Sequence, residues 1–182
     1  MRPCAVLLAL AAIAAPRGAR AYERQWHLGA DFGYALAGFP DVTVSGFGGG
    51  AHVVYGITDA FNLRLHADFT AFELPDPQTA AFVYSAAFGA EYVLDVLEWV
   101  PYVGALVGPV YVVRLDADDP AVPDDDHVHL GIELPLGLGY QLSRTITIGG
   151  EVRYRLFFLG DEETSPTNGL LVLGRFELTW GY

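Results

Sequence analysis

The feature that most constrains this chain is a strict two-residue alternation that never becomes a long apolar run. It is clearest in the last stretch, Leu170 to Tyr182. There Leu170, Val172, Gly174, Phe176, Leu178, Trp180 and Tyr182 fall on one side, and Leu171, Leu173, Arg175, Glu177, Thr179 and Gly181 on the other. Period 2 means a β-strand with one apolar and one mostly polar face. Hydrophobic residues make up 52% of the 182 residues. Yet no apolar stretch beyond residue 15 approaches the roughly 18 residues that a membrane-crossing helix needs. High apolar content without a long apolar run is what alternating strands produce.

From Tyr22 onward, strands are expected near 25–37, 44–57, 60–72, 80–93, 100–115, 127–142, 145–159 and 169–182. The connections alternate in kind. Gly38–Thr43, Glu73–Thr79, Asp116–Asp126 and Gly160–Asn168 are longer and rich in Pro, Asp and Glu. Thr58-Asp59 and Ser143-Arg144 mark tight turns, and Leu94–Trp99 lies between these extremes. An even number of strands with short turns at one end and longer loops at the other predicts an all-β fold: an eight-stranded antiparallel up-and-down transmembrane β-barrel. Trp26, Tyr55, Phe61, Tyr92, Trp99, Tyr140, Trp180 and Tyr182 fall near the short-turn strand ends, as an interfacial aromatic girdle would. A soluble barrel would carry the same alternation. The aromatic ends and the N-terminal segment decide for the membrane.

That N-terminal segment reads as a secretory signal peptide over residues 1–21, ahead of a single barrel domain at 22–182. Arg2 supplies the basic start, Ala5 to Ala15 the apolar stretch, and Ala19-Arg20-Ala21 a small-x-small cleavage site before Tyr22. The single cysteine, Cys4, leaves with it, so the mature chain carries no disulfide. Seven arginines, no lysine and 22 acidic residues then remain, which speaks against a nucleic-acid partner.

The polar faces define what lies inside. Arg64, Arg153, Arg155 and Arg175 are expected in the lumen with Asp31, Asp68, Glu91, Glu133, Glu151 and Glu177, joined by His27, His52, His66 and His129. Eight strands leave an interior only wide enough to fill with side chains. Buried charge is costly unless paired, so an Arg–carboxylate network is expected, with Glu151–Arg153 and Arg175–Glu177 pairing across neighbouring strands. Strand five is apolar on both faces and is interrupted by Pro109. Val103, Ala105, Val107, Tyr111 and Val113 are assigned outward, and Pro109 predicts a bulge or a local loss of pairing.

The mature chain resembles the small eight-stranded bacterial outer-membrane barrels: the outer-membrane protein A transmembrane domain and the protein X and protein W types. Its last strand, through Phe176, Leu178, Trp180 and Tyr182, resembles the C-terminal assembly signal of such barrels. The resemblance implies insertion among outer-membrane lipid and lipopolysaccharide by the barrel-assembly machinery. It does not choose among the anchors, adhesins, small pores and lipid-modifying enzymes of that group.

Catalysis is not expected. The residues two after each His are Gly29, Val54, Asp68, His129 and Gly131, so the His-x-Ser pair known from lipid A deacylase barrels is missing. Asp124-Asp125-Asp126-His127 superficially matches the acidic pairs of outer-membrane proteases, which are longer barrels. Ser45, Ser85, Ser143 and Ser165 lie outside any nucleophile motif. No cofactor is expected. The stretch DADDPAVPDDDHVH packs six Asp and two His around two Pro, and Asp124, Asp125, Asp126, His127 and His129 form a candidate divalent-cation site against a simpler solvated acidic loop. The expected function is a structural or surface-interaction role through acidic loops. The alternative is a narrow channel for small solutes or cations.

Overall fold

The computed structural model describes residues 24–38, 42–73, 79–94, 98–116, 124–158 and 167–181. They form eight strands: β1 (Trp26–Gly38), β2 (Thr43–Gly56), β3 (Phe61–Glu73), β4 (Thr79–Val93), β5 (Trp99–Asp116), β6 (Asp124–Gln141), β7 (Ile146–Phe158) and β8 (Asn168–Trp180). Each strand is hydrogen-bonded antiparallel to the next, and β1 pairs with β8 to close the barrel. Closure satisfies every edge, which lipid demands of a spanning sheet.

The alternation sorts as the sequence predicts. On β3, Phe61, Leu65, Ala67 and Phe69 are exposed, while Asn62, Arg64, His66 and Thr70 are buried. On β8, Val172, Phe176, Leu178 and Trp180 point outward, and Leu171, Leu173, Arg175, Glu177 and Thr179 point inward. Among the described residues, the outward positions in the middle of the strands carry large apolar or aromatic side chains such as Phe32, Phe47, Leu65, Phe88, Leu136 and Val172. At the short-turn end, Trp26–Tyr55, Phe61–Tyr92 and Trp99–Tyr140 form ring pairs with centroids 4.7, 5.2 and 4.9 Å apart, and Trp26 lies in register with Trp180. Tyr182 lies outside the described residues.

The tight turns close by local hydrogen bonds. Thr58 Oγ1 accepts from the amides of Ala60 and Phe61 at 3.2 and 3.0 Å, and Ser143 Oγ accepts from the Thr145 amide at 3.2 Å. Such side-chain acceptors stand in for backbone partners at a reversal.

Two strand prolines leave their marks. The β4–β5 register passes from Ser85↔Val110 to Phe88↔Val107, with the ladder interrupted in between, opposite Pro109. The β5–β6 register likewise skips from Val103↔Leu136 to Leu106↔Glu133, around Pro135. A proline has no N–H to give to a ladder. The bulge itself lies elsewhere, as a register shift between Val112 and Arg114.

One boundary differs from expectation. β6 starts at Asp124, not near residue 127, so the backbone of Asp124–Asp126 belongs to the strand. Hydrophobic periodicity cannot mark a strand that begins on three aspartates. Its partner does so, because β5 and β6 run 18 residues each and Arg114 meets Asp124 in register.

Candidate functional site

The interior is layered along the barrel axis. At the end of the longer connections, Ala35, Ala37, Val44, Phe72, Ala81, Val83, Val110, Val112, Leu171 and Leu173 form a buried apolar cluster, with Val42 and Phe157 packed against it. At the short-turn end, Val93, Val100 and Tyr102 form a smaller one. Between them lies the charged layer, and all ten charged residues expected in the lumen are found there at the ends of inward-facing positions.

The charged layer is organised around two carboxylates. Glu151 accepts from Arg64 Nη1 at 2.6 Å, Arg153 Nε at 2.8 Å, Arg175 Nη1 at 3.1 Å and the Tyr102 hydroxyl at 2.8 Å. Asp68 accepts from Arg153 Nη1 at 2.7 Å, Arg155 Nη2 at 2.8 Å and the Ser85 hydroxyl at 2.9 Å. Arg153 joins the two centres. Around them, Arg64 also donates to Glu91 at 2.8 Å, and Arg155 Nε lies 2.8 Å from Glu133. His52 bridges Asp31 and Glu177 at 2.9 and 2.8 Å, and Arg175 contacts Glu177. Each of the four arginines is thus held by at least two carboxylates. Charge-assisted pairs of this kind offset the desolvation that buried ions suffer.

Pairing runs along the strands as well as across the ladder. Arg153–Glu151 and Arg175–Glu177 form between residues two apart on the same strand, while Arg175–Glu151, Arg155–Glu133 and Arg64–Glu91 join neighbouring strands. Tyr102 and Ser85 were not signalled by the sequence. Tyr102 sits on the strand that is apolar on both faces, yet its ring lies 4.6 Å from the Arg175 guanidinium and its hydroxyl caps Glu151.

Glycines make room where side chains cross the lumen. A Cβ at Gly29 would overlap the His52 ring and stand 2.8 Å from the Phe176 carbonyl oxygen, and one at Gly137 would overlap Tyr102. Tyr102 also lines a small pocket with His27, Asn62, Glu91, Thr147, Arg175 and Glu177.

The candidate cation site of the sequence is divided. His129 is buried in the lumen, its ring 6.5 Å from that of Phe157 and edge-on to it. The side chains of Asp124, Asp125, Asp126 and His127 lie outside the described residues. Among the described residues, one grouping brings metal-ligating atoms together: His66, Asp68 and Glu133, within 4.8 Å of one another.

A closed eight-stranded barrel with an apolar outer face and an ion-paired interior is a transmembrane β-barrel of the bacterial outer-membrane type. Residues 5–175 match the outer membrane protein β-barrel domain family, and the chain belongs to that family. No curated protein matches the sequence significantly. Among solved structures, the chain is similar to neisserial surface protein A, NspA (20% identity, TM-score 0.66, covering 84% of this chain and 96% of that one). It is also similar to Ail, the attachment invasion locus protein of Yersinia pestis (11%, 0.56, 87% and 99%), and to OprG of Pseudomonas aeruginosa (11%, 0.53, 90% and 100%). Ail has also been solved with the heparin analogue sucrose octasulfate. At these identities the likeness is one of fold.

Proposed function

We propose that this outer-membrane barrel is a closed, non-catalytic scaffold whose work is done by its outer connections. The observation that carries this reading is that the lumen is filled twice over: by a charged layer whose arginines are all paired, and by an apolar layer beyond it. In this reading residues 1–21 are removed, Phe176, Leu178, Trp180 and Tyr182 are read by the barrel-assembly machinery, and the outer face meets lipid and lipopolysaccharide. The connections at the far end from the termini face outward. Asp41, Asp76, Asp118, Asp119, Asp161, Glu162 and Glu163 in them, with no basic residue, favour divalent cations or cationic surfaces over an anionic ligand such as the one seen with Ail.

The test is ion conductance of the folded, heat-modifiable protein in a planar bilayer, with and without Ca²⁺. Silence is expected. Steady discrete steps, altered by Arg153→Ala, would replace the scaffold with a narrow channel.

A further inference from the structure

We infer that His66, Asp68 and Glu133 form a buried site for one divalent transition-metal ion, tying β3 to β6 across the lumen. His66 and Asp68 stand two apart on β3, so both point inward. Glu133 reaches them from β6, three strands away around the closed sheet. His66 Nε2 lies 3.2 Å from Asp68 Oδ2 and 3.1 Å from Glu133 Oε2. Ligands held at ~2.0–2.2 Å from zinc or a similar ion are separated from one another by about 3.0–3.5 Å, so these spacings are those of a coordination edge. One imidazole and two carboxylates suit zinc, cobalt or manganese.

A second observation points the same way. His66 Nε2 and Glu133 Oε2 are buried, and neither has a hydrogen-bond partner among the described residues, despite their closeness. His66 Nδ1 lacks a hydrogen-bond partner as well, so neither nitrogen of the buried ring is satisfied among the described residues. Arg155 holds both carboxylates from behind, through Nη2 to Asp68 at 2.8 Å and Nε to Glu133 at 2.8 Å, while Arg153 Nη1 holds Asp68 at 2.7 Å. Outer contacts of this kind orient metal-binding carboxylates. The two guanidinium groups oppose a cation. The whole layer, however, sets six carboxylates against four arginines, so its fixed charges lean acidic. The rival is a proton on His66 in place of the metal.

The ion would enter as the barrel closes, since the site is buried on every side. The experiment folds the protein with Zn²⁺, with Co²⁺ or with EDTA, removes loose metal from the folded barrel with EDTA, and measures metal content. One retained ion per chain is expected, with visible cobalt bands and a higher urea midpoint for the loaded protein. His66→Ala and Glu133→Gln should lose the ion, and the triple variant Asp124→Asn, Asp125→Asn, Asp126→Asn should keep it. A folded, heat-modifiable wild type without metal overturns the inference. So does an ion that survives His66→Ala or disappears in the triple aspartate variant. If His66→Ala fails to fold, X-ray absorption of the cobalt-loaded wild type decides. One imidazole among oxygen donors supports the site, and none overturns it.

Discussion

Arg64→Met asks most of the charged layer. Arg64 is fully buried and its Nη1 reaches Glu91 at 2.8 Å and Glu151 at 2.6 Å. The two carboxylates do not lose equally. Glu151 keeps Arg153, Arg175 and Tyr102, whereas among the described residues Glu91 keeps Arg175 alone, at 4.0 Å. The cost is therefore the burial of one uncompensated carboxylate, about 3–5 kcal/mol. With a urea slope of roughly 1–3 kcal/mol/M, the unfolding midpoint should fall by about 2 M. Equilibrium unfolding followed by tryptophan emission and by loss of heat-modifiable migration reads this directly. The contrast between second changes is sharper. Adding Glu91→Gln removes the orphaned charge and should recover a large part of the loss, a coupling within the ~0.5–3 kcal/mol seen for contacting residues. Adding Glu151→Gln should recover nothing, because Arg153 and Arg175 then lose their shared partner. Equal recovery by the two, or a loss under about 1 kcal/mol for Arg64→Met, would refute the pairing described here and imply that water solvates the layer.

Gly29→Ala should destabilise the barrel by about 1–3 kcal/mol, since the His52 ring that it displaces is pinned between Asp31 and Glu177; urea unfolding measures it. Trp26, Trp99 and Trp180 share one rim and the outer face, so their emission should be quenched by lipids brominated near the headgroup and hardly by lipids brominated at the chain ends. N-terminal sequencing of protein from outer membranes should begin at Tyr22; another start would move the processing site, and an intact Met1 would refute cleavage. Trp180→Ala should lower the folded fraction in outer membranes while leaving detergent refolding nearly unchanged, which separates recognition by the assembly machinery from intrinsic stability.

The barrel was legible because lipid imposes one rule on every second residue. That rule fixes a strand's face even where its inner residues are irregular, as on β3 and β8. It weakens where both faces are apolar. On β5 the outward set Val103, Ala105, Val107, Tyr111 and Val113 was readable, but the inward Tyr102 looked like one more apolar position. It fails beyond the membrane, where Asp124–Asp126 extend β6 by ladder pairing with no hydrophobic signal. The membership of the charged layer followed from inward parity alone. Its pairing did not, because which guanidinium meets which carboxylate depends on the stagger of opposite walls. Asp68 and Arg153 lie 85 residues apart and meet only because the sheet closes. The apolar layer was missed for a related reason. Its members, such as Ala35, Val83 and Leu171, come one or two from each of β1 to β5 and β8, and only closure stacks them at one height.

That layering also bears on conduction. A cation crossing the lumen would meet two obstacles of different kinds in series. In the charged layer every arginine is already paired, so the ion would have to displace a guanidinium from its carboxylates. In the apolar layer it would shed water against alanine, valine, leucine and phenylalanine side chains, which cannot replace it. Removing one obstacle leaves the other standing. Arg153→Ala alone should therefore stay silent in a planar bilayer, and so should the pair Phe72→Gly and Leu173→Gly, even where either variant loosens the fold. The three changes together should give small, cation-preferring steps, because the carboxylates left without Arg153 would line the opened path. Conductance from Arg153→Ala alone would show that the apolar layer does not seal the barrel, and the outer connections would no longer be the sole place to look for function.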